Sequence, residues 1–139
     1  VDKFIAVLEE ADVLVFAISE ATSHYCAGFK NAMDWLVVKA KFNATLGTNY
    51  AITDKPIFVV TFTPTKNKPN GGRHFGMTTE LLEKLGATVK ECHLINDCWK
   101  TVIPSGFNAI ESVLKTVVEF LDSYVPSSTS MHSFLGNTK

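Results

Sequence analysis

Residues 19–28 read SEATSHYCAG, and residues 61–73 read TFTPTKNKPNGGR. The first stretch offers Ser19, Glu20, Thr22, Ser23 and His24, and the second offers Thr61, Thr63, Gly71, Gly72 and Arg73. The hydroxyls of Ser19, Thr22, Ser23, Thr61 and Thr63 are neutral donors and acceptors, and glycines let backbone N–H groups approach a ligand closely. That inventory suits a flat ligand with a polar edge better than a phosphoanhydride. No GxxxxGK[ST] or GxGxxG loop follows any candidate strand, so neither phosphate-binding motif is present. Ser19, Ser23 and Ser105 lack the GxSxG setting of a hydrolase nucleophile. His74 and His93 have no carboxylate or thiol partners at ligand spacing; both are read as solvated, with no metal site.

Both stretches follow apolar runs that would hold them in place. Asp12 leads into Val13-Leu14-Val15-Phe16-Ala17-Ile18, and Lys55-Pro56 into Ile57-Phe58-Val59-Val60. Such continuous runs mark strands covered on both faces by helices. Pro56 stands at a strand start, where its missing donor is tolerated. Thr88–Ile95 reads as a third strand, at the sheet edge because it carries Lys90, Glu91 and His93. Helical spacing of apolar residues predicts helices over 1–11, from Ala27 to about Phe42, from Arg73 to Leu85 with Gly86 as cap, and from Ser105 to Tyr124. Residues 19–27 read as an irregular polar loop and the stretch around Gly47 and Asn49 as a linker. Regular alternation of helix and buried strand implies right-handed crossovers and a doubly wound α/β fold with a parallel sheet. Ligands of such sheets lie beyond the carboxyl ends of the strands, where both polar stretches fall.

With 139 residues the chain has the length of one domain, and a net charge of -1 from 13 basic and 14 acidic side chains. No basic stripe for nucleic acid is present, and no apolar run is long enough to span a membrane. Cys26, Cys92 and Cys98 fit no zinc or disulfide spacing, so they read as free thiols in a reducing, cytoplasmic setting. Lys30 and Asp34 stand four apart on one helix, the spacing of a solvated ion pair. On the same helix Trp35, Val38 and Phe42 form a second apolar stripe besides Phe29, Met33, Leu36, Val37 and Ala40. One stripe would face the sheet and the other a subunit of a homodimer or homotetramer.

The segment ADVLVFAISEATSHYCAGFKNAMDWL resembles the NAD(P)H-dependent FMN reductase family of the flavodoxin-like superfamily. That family carries a strand, a Pro-Glu-Tyr-Asn-x-Ser type loop and a Gly-x-Leu-Lys-Asn-Ala-x-Asp-Trp helix. Phe29-Lys30-Asn31-Ala32-Met33-Asp34-Trp35 matches the helix, with Phe for Leu. KPIFVVTFT and Gly71-Gly72-Arg73 are similar to its next strand and Gly-rich loop, so the likeness runs from about residue 4 to residue 122. It implies a flavodoxin-like sheet, bound FMN, and hydride transfer from NAD(P)H to a small-molecule electron acceptor such as a flavin or quinone. The implied cofactor contacts are Ser19, Glu20, Thr22, Ser23, His24, Asn31, Thr61, Thr63, Gly71, Gly72 and Arg73, with no side chain required as catalytic acid or base.

The departures are specific. The family's Pro-Glu-Tyr-Asn falls on Ser19-Glu20-Ala21-Thr22, its Ser on His24 and its pre-helix Pro on Cys26. Loss of the Tyr removes an aromatic wall, and loss of two prolines loosens the loop. The chain starts at what resembles the second helix, ahead of which the family has its phosphate loop. Strand 13–18 would then have an open edge, as in an N-terminally incomplete domain of residues 1–125 followed by a Ser-rich tail over 126–139. The alternative is a divergent, non-catalytic flavodoxin-like module that acts through its dimer face. An electron-transfer flavodoxin would hold FMN without NADPH turnover, and the KNAMDW stretch speaks against it.

Overall fold

The apolar run at Val13–Ile18 becomes a parallel strand because a second run of the same kind lies beside it. A computed structural model describes residues 1–43, 47–64, 66, 72–105, 108 and 110–125; the side chains of 41–43, 47, 72, 73, 101 and 103–105 are outside that description. The elements run α1 (Asp2–Glu10), β1 (Leu14–Ala21), β2 (His24–Tyr25), α2 (Ala27–Val38), β3 (Lys41–Asn43), β4 (Gly47–Asn49), β5 (Pro56–Phe62), α3 (Gly72–Lys84), β6 (Thr88–Ile95), α4 (Cys98–Ser105) and α5 (Glu111–Asp122). The main sheet has the order β2-β1-β5-β6. β1 and β5 pair in parallel from Leu14↔Ile57 to Ser19↔Phe62. β5 and β6 pair in parallel from Pro56↔Thr88 to Phe62↔Ile95, with a register shift between Ile57 and Phe58.

Alternate residues of β5 feed two cores. Ile57 and Val59 join Leu8, Leu14, Ile18, Phe29, Met33, Leu36, Leu82 and Leu85, so α1, α2 and α3 cover one face. Phe58 and Val60 join Ile95, Ile110 and Phe120, so α5 covers the other. This is the α/β, flavodoxin-like arrangement with helices on both faces of a mostly parallel sheet. Gly86, with φ of +78°, ends α3 in the left-handed region that glycine occupies at no steric cost.

Six expectations need correction. α2 ends at Val38 rather than near Phe42, so Phe42 lies in β3 and not on that helix. Val37, read with the core-facing stripe, is 46% exposed. Residues 19–27 are no irregular loop: β1 runs on to Ala21 and returns as β2, a fourth strand antiparallel to it. The linker region forms a second small sheet, β3 with β4. The last helix does not start at Ser105, which instead ends α4; α5 begins at Glu111. His74 is not solvated but wholly buried. The edge position of β6 and the Lys30–Asp34 ion pair are as expected.

Among the described residues no strand flanks β1 along Leu14–Ser19 on the side away from β5. Val15 is 39% exposed on that strand. The tail over 126–139 and Gly71 lie outside the described residues.

Candidate functional site

The carboxyl ends of β5 and β6 are tied together by backbone hydrogen bonds. The Thr63 N–H donates to the Ile95 carbonyl at 3.0 Å, and the Cys98 N–H donates to the Thr63 carbonyl at 3.1 Å. Beside them, β1 turns back through Thr22 and Ser23, whose φ angles are 51° and 64°. Positive φ at both central residues is the requirement of a two-residue type I′ hairpin. Neither residue is Gly or Asn, so each stores strain on the order of 1 kcal/mol that the surroundings must hold. Part of that hold is the Cys26 N–H, which donates to the Ser19 carbonyl at 3.0 Å.

Cys26 is also the N-cap of α2, and its carbonyl accepts from Lys30 N–H at 3.2 Å. Burial pushes the Cys26 thiol up, but hydrogen bonds from the Phe29 backbone and from Ser19 outweigh it, and the pKa is lowered overall. Cys92 lies on β6 away from such donors, and burial alone pushes it up to about 12.

The hairpin register is Glu20↔Tyr25 and Ala21↔His24. Tyr25 stands edge-on to Phe29 at 5.5 Å between ring centroids, and Phe29 edge-on to Phe16 at 6.0 Å. His24 in turn stands edge-on to Tyr25 at 4.9 Å. A ladder of four rings thus runs from the first core to the tip of the hairpin. Tyr25 also lines a cleft of about 200 Å³ with Met77, Glu80, Leu81 and Lys84 of α3.

The expected contacts separate into groups. Ser19, Thr22, Ser23 and His24 are exposed at the hairpin, with Glu20 half-buried on the side of Tyr25. Thr61 and Thr63 are fully buried, and the Thr61 hydroxyl donates to the His93 carbonyl at a long 3.4 Å. Thr61 pairs with Ile18 and so points to the side covered by α1, α2 and α3, whereas Ser19 pairs with Phe62 on the opposite side. Asn31 is exposed in the second turn of α2, and Gly72 and Arg73 open α3. Sequence reasoning gave Cys26 no part in the site, since cysteine is not a favoured N-cap and its side chain makes no cap hydrogen bond to α2. It also passed over the Asn96–Asp97–Cys98 turn, where Asp97 has φ of 52° and Cys98 seals the end of β5.

A profile of the NADPH-dependent FMN reductase family matches residues 1–95. The chain belongs to that family. Among solved structures, the azoreductase AzrA is 20% identical with a TM-score of 0.56, covering 83% of this chain and 58% of its own. A thermophilic tryptophan halogenase from Streptomycin violaceusniger is 17% identical with a TM-score of 0.57, covering 82% of this chain and 73% of its own. At such identities the likeness is one of fold. The chain therefore spans a little over half the length of the azoreductase it resembles. No curated protein sequence matches it.

For this FMN reductase family member, the donor set decides what part of a flavin the site fits. The exposed hydroxyls of Ser19, Thr22 and Ser23 and the His24 imidazole are short hydrogen-bonding groups beside the strand ends. They match the carbonyl and N–H groups along the edge of an isoalloxazine ring. A dianionic phosphate calls for cationic or helix N-terminal donors instead; residues 19–26 hold no Lys or Arg, and the N-terminus of α2 follows them directly at Ala27.

Proposed function

We propose that the protein is a flavin-dependent oxidoreductase that moves hydride from NAD(P)H, through FMN, to a flavin, quinone or similar small-molecule acceptor. The supporting observation is the family match over residues 1–95, a span that contains both polar stretches at the carboxyl ends of β1 and β5. When bound, FMN supplies the two-electron chemistry. This chain's own part is orientation. Ser19, Thr22, Ser23 and His24 hold the ring edge from the hairpin; Gly72, at the start of α3, and Gly71, outside the described residues, belong to the proposed contact set. The buried Thr61 and Thr63 act through the strand they anchor. Glu20, Asn31 and Arg73 complete the proposed contact set, and no side chain serves as acid or base. The working compartment of this reading is the cytoplasm; no described helix is long and apolar enough to cross a membrane.

The test is an FMN titration of the purified chain followed by anaerobic NADPH. A perturbed flavin spectrum that bleaches on addition supports the reading, and unchanged free-flavin absorbance removes it.

A second reading rests on α2. Trp35 is 38%, Val37 46% and Val38 67% exposed, an apolar face that suits a subunit contact in a homodimer or homotetramer. In a non-catalytic module that contact would be the function, and no flavin would be retained.

A further inference from the structure

We propose that a cleft between the last turn of α1 and residues 49–55 binds a small, neutral, hydroxyl-rich molecule such as a single sugar unit. It stands at the end of the sheet opposite the polar hairpin, and it does not depend on the flavin reading.

α1 leads into β1 and residues 49–55 lead into β5, so both flank the points where these parallel strands begin. Glu9 of α1 and Asn49, Tyr50, Ala51, Thr53 and Lys55 line a cleft of about 320 Å³. Ligand pockets run from roughly 300 to 1,000 Å³, so its occupant is small.

The far side of the cleft is built before any ligand arrives. Ile52 is fully buried in the first core and anchors the segment there. The Thr53 N–H donates to the Tyr50 carbonyl at 3.0 Å, and the Tyr50 N–H donates to the Thr53 hydroxyl at 2.9 Å. Asp54 takes a φ of 61°, and its N–H donates to the Gly86 carbonyl at 2.8 Å. A segment tied in this way loses little freedom on binding.

The donor set names the ligand class. The Lys55 ammonium donates to the carbonyl of Glu9 at 3.0 Å and to that of Ala11, at the C-terminal end of α1 where a cation is favoured. An ammonium has three N–H donors, so one is left for the cleft. Among the described residues, neither the Asn49 amide nor the Tyr50 hydroxyl has a hydrogen-bond partner. The Tyr50 ring packs against the first core and so joins a fixed apolar face to a polar tip. Lys55 and Glu9 are the charged residues of the lining, one of each sign, and the cation is already engaged by helix carbonyls. A charged ligand would therefore lack an uncompensated partner. An apolar one would displace water from the amide and the phenol without replacing its hydrogen bonds. A saturated ring with hydroxyls at its edge and C–H groups on its face satisfies both.

Saturation-transfer NMR on the purified chain tests the site, with methyl glucoside and myo-inositol as neutral probes and acetate as an anionic one. At least one neutral probe should receive saturation, and acetate should not. Tyr50→Phe keeps the ring and removes one hydrogen bond; Asn49→Ala removes an exposed amide. Each should weaken the bound neutral probe about two- to tenfold, at an unchanged urea midpoint. Added FMN should leave the probe signal in place, because the two sites lie at opposite ends of the sheet. No transfer to either neutral probe overturns the proposal, as does wild-type affinity in both variants. Transfer to acetate alone overturns the neutral class, and loss of the probe signal on adding FMN overturns the location. None of these outcomes bears on whether FMN itself binds.

Discussion

Ser19 and Cys26 meet across the base of the hairpin that ends β1. The Cys26 N–H donates to the Ser19 carbonyl at 3.0 Å, and the Ser19 side chain is among the groups that hydrogen-bond the thiol. One residue therefore closes the turn, caps α2 and carries a thiol whose ionised form is favoured by the donors around it.

That thiol should react first. A lowered pKa puts more of Cys26 in the thiolate form at any pH below its midpoint, and the thiolate is the nucleophile. Cys92, pushed up to about 12, stays protonated through the neutral range. Alkylation with iodoacetamide between pH 6 and 9, read by peptide mass spectrometry, should label Cys26 well before Cys92. Faster labelling of Cys92 in the native chain would contradict the hydrogen-bonding account.

Met33 tests the core on which the site stands. It is 1% exposed and packs with Phe29, Leu36 and the odd-numbered side chains of β5. Met33→Ala removes buried volume that α2 cannot easily collapse to fill, and should cost about 2–5 kcal/mol. Urea unfolding should show a lower midpoint at an unchanged slope.

Gly86 tests the end of α3. Its φ is +78°, and an added Cβ would stand 3.1 Å from both Oγ1 and Cγ2 of Thr53. Thr53 cannot readily yield, because its hydroxyl accepts from Tyr50 N–H at 2.9 Å. Gly86→Ala should lose at least about 1–2 kcal/mol from the left-handed backbone alone. Gly86→Asn should retain more stability than Gly86→Ala, since asparagine tolerates that backbone better; the reverse order would place the cost in the contact with Thr53.

The exposed stripe of α2 is tested by charge. Trp35→Lys with Val38→Lys leaves Phe29, Met33 and Leu36 in the core and should turn an associated chain into a monomer in sedimentation velocity. An unchanged sedimentation coefficient would rule the stripe out as the contact.

Much of this was legible in the chain. Unbroken apolar runs at 13–18 and 57–60 can only be satisfied between two helical layers, and Lys90 and Glu91 on the third run keep it at the edge. The KNAMDW stretch carried the resemblance, and the family match over residues 1–95 contains it. What depended on distant neighbours was not legible. SEATSHY contains no Asn-Gly or Asp-Gly pair, the usual mark of a tight hairpin, so its turn appears only once Cys26 and the aromatic ladder hold two left-handed residues in place. His74 carries a polar side chain into the interior, which composition cannot foretell. Thr61 and Thr63 were chosen for their hydroxyls, yet strand alternation and the helices packed on that face turn both inward. Local pattern determined the main helices and the three parallel strands and their order; the β2 return, the β3–β4 sheet and the direction each side chain takes were decided only when register and layer packing joined residues far apart along the chain, because burial is a property of neighbours and not of sequence position.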